Sequence, residues 1–353
     1  MIERLTRTFN DSDPKVRGKL FGIYGVLIAI NVAAWLWALV AFHGHPVLLG
    51  SAMLAYGFGL RHAVDADHIA AIDNVTRKLM QKKKRPVAVG LFFSLGHSTV
   101  VVLASVAVAI ATTAIQSRFD DFRSIGNIVG TLVSSLFLFA LALMNLLILR
   151  GIYRAWKHVR SGGAYVDDDF DMLLANRGFV ARMLRPLFRF VTRSWHMYPT
   201  GFLFGLGFDT ATEIGLLGIA ATQAATGVSP WAIMVFPVLF SAGMSLIDTL
   251  DGHLMLGAYG WAYQKPLRKI YYNMTITLVS IVVAVVIGGI EALGLIADRL
   301  SLKGTVWDAV GSLNDNFGVL GYLIIGIFAV SWIASIVIYR IKRFDETQTS
   351  PQA

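Results

Sequence analysis

The 353-residue sequence contains no cysteine, and only 15% of its residues are charged. The missing cysteine excludes disulfides, thiolate ligands and Cys-based zinc or iron–sulfur sites, so any metal must be held by nitrogen and oxygen. The scarcity of charge excludes an ordinary soluble domain, in which about a quarter of residues are charged. No Gly-x4-Gly-Lys-Ser/Thr loop is present, which disfavours an ATP-driven pump and gives no sign of an ATPase subunit. There is no His-Glu-x-x-His and no array of histidine boxes, so the usual signatures of a metalloenzyme are missing too. No cleavable signal peptide is expected, because the first 19 residues are polar and no apolar core is followed by a small-residue cleavage site.

What is there instead is a hydrophobic content of 56%. It is gathered into blocks of about 20 or more residues, each enough to cross a bilayer core of about 30 Å as a helix. Lipid satisfies no backbone hydrogen bonds, so these blocks must be helical. The expectation is an all-α, polytopic membrane protein forming a single transporter domain over 1–353. Its eight spans are read near 20–42, 47–76, 86–113, 125–150, 197–226, 229–263, 271–296 and 317–341. The second and sixth exceed a bilayer's need, so they tilt, protrude or break.

The net charge of +9 does not point to nucleic acid, because the basic residues sit in short segments between apolar blocks. Five lie in the N-terminal tail, six in 77–85, nine in 150–193, three in 265–269 and three after 339, or 26 of 31. Only Arg118, Arg123, Arg299 and Lys303 fall in the alternate loops. The positive-inside rule then puts both termini in the cytoplasm, with the bacterial inner membrane as the expected location. The cytoplasmic loop 151–196 carries an acidic run, Asp167–Asp169 with Asp171, and a basic-apolar stretch from Val180 to Trp195. These read as a solvated turn and an interfacial helix.

Two echoes suggest an internal repeat. Phe58-Gly59-Leu60 returns as Phe204-Gly205-Leu206, and Phe93-Ser94-x-Gly96-x-Ser98 as Phe240-Ser241-x-Gly243-x-Ser245. They pair spans 2–4 (about 47–150) with spans 5–7 (about 197–296). A three-span unit reverses its orientation when repeated. Inverted repeats of this kind mark secondary transporters, whose site lies where the repeats meet.

The second span contains Arg61-His62-Ala63-Val64-Asp65-Ala66-Asp67-His68. A charge at the bilayer centre costs about 3 kcal/mol, so five ionisable residues in eight positions are not kept for packing. On a regular helix His62, Asp65 and His68 fall within an arc of about 120°, and Asp67 points about 100° away from His68. Either the helix is distorted or Asp67 bonds a neighbour. Imidazole with carboxylate suits nickel, cobalt, zinc or iron, whereas magnesium and calcium prefer oxygen alone. His62, Asp65, Asp67 and His68 are therefore the candidate metal ligands. Asn31, Arg61, Val64, His97, Asp209, Glu213, Asp248 and Asp251 are candidates for the transport path or for supporting the ligands. Glu291 is expected to snorkel at the outer end of span seven, and His43 and His45 to lie in an outer loop.

His62-Ala63-Val64-Asp65-Ala66-Asp67-His68 resembles the His-x4-Asp-His signature of the nickel/cobalt transporter family. Leu206-Gly207-Phe208-Asp209-Thr210-Ala211-Thr212-Glu213, Ser94-Leu95-Gly96-His97-Ser98 and Gly243-Met244-Ser245-Leu246-Ile247-Asp248-Thr249-Leu250-Asp251-Gly252 are similar to three further motifs of that family. The resemblance implies high-affinity uptake of nickel, and less readily cobalt, as cargo with no permanent cofactor. It also implies that His62, Asp67 and His68 are essential. Asn31 with Val64 is the pair that goes with nickel preference. An efflux permease of the same superfamily and an intramembrane metalloenzyme are the alternatives. Exporters often carry a His-rich cytoplasmic loop, and here that loop has only His158 and His196.

Overall fold

A computed structural model describes residue 11 and residues 16–82, 84–110, 116–160, 191–206, 211–262 and 266–341. Among these residues every regular element is helical. In order they are α1 (Val16–Ala41), α2 (Pro46–His62), α3 (Ala66–Gln81), α4 (Val89–Ile110), α5 (Gln116–Arg160), α6 (Met197–Phe204), α7 (Ala211–Ala225), α8 (Pro230–Ile233), α9 (Val235–Ala262), α10 (Pro266–Leu300), α11 (Thr305–Asp315) and α12 (Phe317–Ile341).

Five stretches are long and apolar enough to cross a membrane: those in α1, α4, α5, α8 with α9, and α10. The number reaches seven when each of two bent pairs forms one span, α2 with α3 at 49° and α11 with α12 at 75°. The expected span at 197–226 differs most, because it consists of α6, 8 residues long, and α7, 15 residues long. Residues 207–210, including Asp209, lie outside the described residues, as do 161–190, which carry the acidic run and most of the basic-apolar stretch.

Burial orders the helices from centre to rim. In the α8–α9 stretch 67% of the apolar window is enclosed, against 22% in α1. α1 and α12 turn Phe21, Val26, Val40, Leu323 and Val330 outward, a surface suited to lipid and not to water. α3 is the anomaly. It carries Asp73, Asn74, Arg77 and Lys78, yet every residue from His68 to Met80 is buried. Asp73, Asn74 and Arg77 are tied to three other helices. Asp73 accepts from the hydroxyl of Tyr259 and from Ser280 Oγ at 2.9 Å. Arg77 donates to Thr277 Oγ1 at 2.8 Å and to Asn74 Oδ1 at 2.9 Å, an oxygen that the Asn145 amide also reaches. Glu291 does not snorkel. It is 3% exposed and accepts from Ser134 Oγ at 2.8 Å, because α5 packs along α10 and encloses it.

Two helix crossings bring backbones together through glycine. Gly59 of α2 lies on the backbone of Phe240, and Gly243 of α9 lies 3.0 Å from Tyr56 O and 3.2 Å from Leu60 N, measured from where its Cβ would stand. Gly201 of α6 lies on the backbone of Phe93, and Gly96 of α4 lies on Tyr198 and Phe202. Any Cβ at Gly59, Gly96 or Gly201 would meet main-chain atoms, which cannot move aside. The two crossings share their spacing: positions 56, 59 and 60 against 240 and 243, positions 198, 201 and 202 against 93 and 96. The sequence echo pairs Gly59 with Gly205, whereas the crossings pair it with Gly201, one helical turn earlier.

Candidate metal centre

The signature motif does not form a continuous helix. α2 ends at His62 and α3 starts at Ala66. Asp65 between them takes an extended backbone, with φ −66° and ψ 147°. Its amide bonds His62 O at 2.9 Å and the amide of Val64 bonds Arg61 O at 3.2 Å, which tightens the last turn before the break. Asp65 occupies the N-cap position of α3 without capping it. Its carboxylate turns back instead, taking Arg61 Nη1 at 2.7 Å and His62 Nδ1 at 3.0 Å. The polar side chains thus stabilise the break, and of the two alternatives the sequence left open the helix is distorted, by a break.

The break lets His68 face His62. Their ring centroids stand 4.6 Å apart, and His97 from α4 completes a triangle at 4.8 Å from His62 and 4.9 Å from His68. Each histidine offers one nitrogen within 4.8 Å of the others. All three are at most 2% exposed. His97 Nε2 lies 3.0 Å from His62 Nε2 and 2.9 Å from Glu213 Oε1, and that oxygen is 3.9 Å from His62 Nε2. Three donor atoms therefore converge on one point. Two donors at right angles about one ion, each about 2.1 Å from it, would stand about 3.0 Å apart.

The far sides of two rings are backed by carboxylates. A carboxylate only accepts, so the Nδ1–H of His62 donates to Asp65 and the Nδ1–H of His68 donates to Asp248, at 3.2 Å. Both rings then present Nε2 as a lone pair, the arrangement that orients a histidine toward a metal. Thr212 Oγ1 adds a contact of 3.2 Å to His62 Nδ1. Phe240 and Phe93 wall the cluster, 5.5 Å from His62 and 4.8 Å from His68 between ring centroids. His68 Nε2, His97 Nδ1 and Asp67 Oδ1 are buried here without a partner among the described residues. An unsatisfied buried polar atom costs about 1–3 kcal/mol, so His68 Nε2 and Asp67 Oδ1 favour an occupant.

Of the four candidate ligands, His62 and His68 face the cluster and Asp67 keeps a vacant oxygen, while Asp65 is occupied with Arg61 and His62. His97, Glu213 and Asp248, expected on the transport path or in support of the ligands, make direct contacts with the rings. Asp251, one turn beyond Asp248, contacts none of the three histidines by a hydrogen bond. Asn31 is a cross-helix fastener. Its amide donates to Leu27 O and to Ala242 O, at 2.9 and 3.3 Å, and its oxygen accepts from Tyr56 at 3.0 Å. Val64 sits in the break, with its carbonyl against Gly321 of α12. His43 and His45 are exposed. Phe93 and Phe240 stood out in the sequence only as repeat markers, and their place beside the histidines had no separate signal.

Residues 48–338 match the high-affinity nickel-transport protein family. The chain belongs to this family. It is 62% identical over 348 residues to a high-affinity nickel transport protein of Cupriavidus necator, covering 99% of each chain. It is 44% identical to the nickel transporter NicT of Mycobacterium tuberculosis, over 93% of this chain and 90% of that one. It is also 37% identical to the cobalt transport protein NhlF of Rhodococcus rhodochrous, over 92% of this chain and 94% of that one. No solved structure matches. The family is one of transport proteins, not of enzymes, and with its own long apolar helices the chain is a membrane protein.

Proposed function

We propose that this protein is a secondary transporter that takes up nickel across the cytoplasmic membrane, with cobalt as the poorer cargo. The observation that carries the reading is the convergence of His62, His68 and His97, each offering a buried nitrogen within 4.8 Å of the others. His62, His97 and Glu213 hold the cargo ion, His68 and Asp67 complete the shell, and Asp65 and Asp248 fix the rings. A nitrogen-rich set with one or two carboxylates fits nickel or cobalt better than a hard cation. The names of the relatives point the same way, toward nickel for most and cobalt for one. The test is uptake of radioactive nickel by cells expressing the chain, with cobalt, zinc and manganese as competitors. Nickel accumulation that cobalt inhibits and manganese does not is the expected result; uptake no greater than in cells lacking the protein overturns the reading.

The chain is one transporter domain of eight spans built on an inverted repeat. The matched spacing of the two glycine crossings supports this, because α2 on α9 and α6 on α4 are the pairs that a repeat of spans 2–4 and 5–7 would relate. Both termini face the cytoplasm, an orientation that the distribution of Lys and Arg supports. A reporter active only in the cytoplasm, fused after residue 353, is expected to be active. One active only on the outer side would overturn this orientation.

Selectivity is set by placement of the ligands, since nickel binds the same donors more tightly than cobalt does. Val64 lies between His62 and Asp65 in the break, and Asn31 joins α1 to α2 and α9 through Tyr56 and Ala242. Asn31→His with Val64→Phe is therefore expected to raise cobalt uptake relative to nickel. The ratio at trace concentrations, wild type against double variant at equal membrane abundance, checks it.

A further inference from the structure

Below the imidazole cluster, along the seam between α3 and α9, a second set of oxygens has no part in the contacts described so far. Asp248 holds His68 at the top of this seam. Three residues on, Asp251 is 9% exposed and its Oδ2 has no partner among the described residues. The two residues share a face of α9, since positions three apart are neighbours on a helix. That face looks at α3: the Cβ position of Gly252 lies 3.5 Å from Ile72 Cγ2. Asp251 precedes Gly252 and Asp73 follows Ile72, so the two carboxylates flank this contact. On α3, Thr76 lies one turn beyond Asp73 on the same face. It is wholly buried and its hydroxyl too has no partner among the described residues. Thr249 beside Asp248 adds a third such oxygen, 1% exposed.

The direction of the seam gives these atoms a use. α3 leaves the cluster at His68 and ends at Gln81, where the basic segment 77–85 marks the cytoplasmic side. Asp73 is about 7.5 Å further along its axis than His68, at about 1.5 Å per residue. α9 descends alongside, from Asp248 at His68 to Tyr259 at Asp73. Asp251 lies about 4.5 Å further along α9 than Asp248, at about 1.5 Å per residue, and Tyr259 and Ser280 both donate to Asp73. Imidazole holds nickel tightly, whereas carboxylate and hydroxyl oxygens suit harder, more weakly retained ions. An oxygen-lined position is what a nitrogen site needs below it if its cargo is to be released.

We propose that Asp251 is a relay ligand, forming with Asp73 and Thr76 a second, oxygen-lined cation position on the inward route. This rests on the imidazole cluster being the transport site. The experiment compares Asp251→Asn, Asp251→Glu and His62→Ala in the full-length protein, by equilibrium binding of radioactive nickel to purified protein and by uptake kinetics in cells. Asp251→Asn is expected to bind one nickel with affinity within about threefold of wild type, while maximal uptake falls about 10-fold or more. A lower rate with unchanged or lower KM is the mark of a step after binding. Asp251→Glu, which restores the carboxylate, is expected to recover a substantial part of that rate. Wild-type uptake by Asp251→Asn overturns the relay, and so does loss of nickel binding to the extent seen in His62→Ala, which would put Asp251 in the first site or in the packing. A failure of Asp251→Glu to exceed Asp251→Asn also overturns it. Retained binding and uptake in His62→Ala would instead overturn the cluster as the transport site, a result that the Asp251 variants cannot produce.

Discussion

Replacing His62 with alanine is expected to abolish nickel uptake while the protein still inserts in the membrane. His62 is the residue on which the cluster turns. One nitrogen meets Asp65 and Thr212, and the other meets His97 and stands 3.9 Å from Glu213. Alanine removes a donor atom, leaves the Asp65 carboxylate with Arg61 alone, and opens space beside Phe240. Loss of a group that merely orients a ligand costs about 10–100-fold in metal affinity or activity, so loss of a ligand should exceed about 100-fold. His68→Ala and Asp67→Ala are expected to behave alike, the first by removing a buried nitrogen and the second by removing a vacant oxygen. His43→Ala, on an exposed loop, is the control and should transport almost normally. The measurement is initial uptake of radioactive nickel, normalised to protein in the membrane by immunoblot. Near-normal uptake by His62→Ala would place the site elsewhere.

The helical class and the motif helix were legible because their signals are local. Long apolar blocks allow no other spanning structure, and five ionisable residues inside one block announce a site. The break at Ala63–Asp65 was legible as one of two alternatives, since a regular helix could not aim His62, Asp65, Asp67 and His68 at one ion and the other choice was Asp67 bonding a neighbouring helix. Its position was not, because it depends on Asp65 turning back to Arg61 and His62 rather than capping α3. The ranking of Asp65 above His97 and Glu213 followed from closeness along the chain. Direct contact depends instead on how α4 and α7 pack against the break, which no spacing encodes. The same limit applies to Glu291: its place near a span end suggested snorkelling, and only the packing of α5 on α10 reveals Ser134 as its partner. The repeat echo also lay one turn out of register with the crossings. Phe-Gly-Leu recurs at 204–206, but the glycine that meets Phe93 is Gly201.

Glu213 links the cluster to α7, and Glu213→Gln is expected to cripple transport through affinity rather than through packing. Its Oε1 lies where His97 Nε2 and His62 Nε2 converge, 2.9 Å from the first and 3.9 Å from the second. Among the described residues it is the carboxylate closest to that point, and it is 1% exposed. Glutamine keeps the length of the side chain and an oxygen that can still accept from His97, so the substitution removes charge and little else. Two unit charges about 4 Å apart attract by about 4 kcal/mol at an effective dielectric of 20. The cargo is doubly charged, but desolvation of the carboxylate and water in the site offset much of the gain. Even a third of that figure amounts to about a tenfold change in affinity, at about 1.4 kcal/mol per decade. The KM for nickel uptake should therefore rise at least about tenfold. Equilibrium nickel binding to the purified protein should weaken by a similar factor. Glu213→Asp keeps the charge but withdraws it by one methylene, so it should fall between wild type and glutamine in binding. If Glu213→Gln binds nickel as tightly as wild type and Glu213→Asp does not, the length of the side chain matters and its charge does not. Glu213 would then be a spacer between α4 and α7, and the negative charge balancing the cargo would have to come from Asp67.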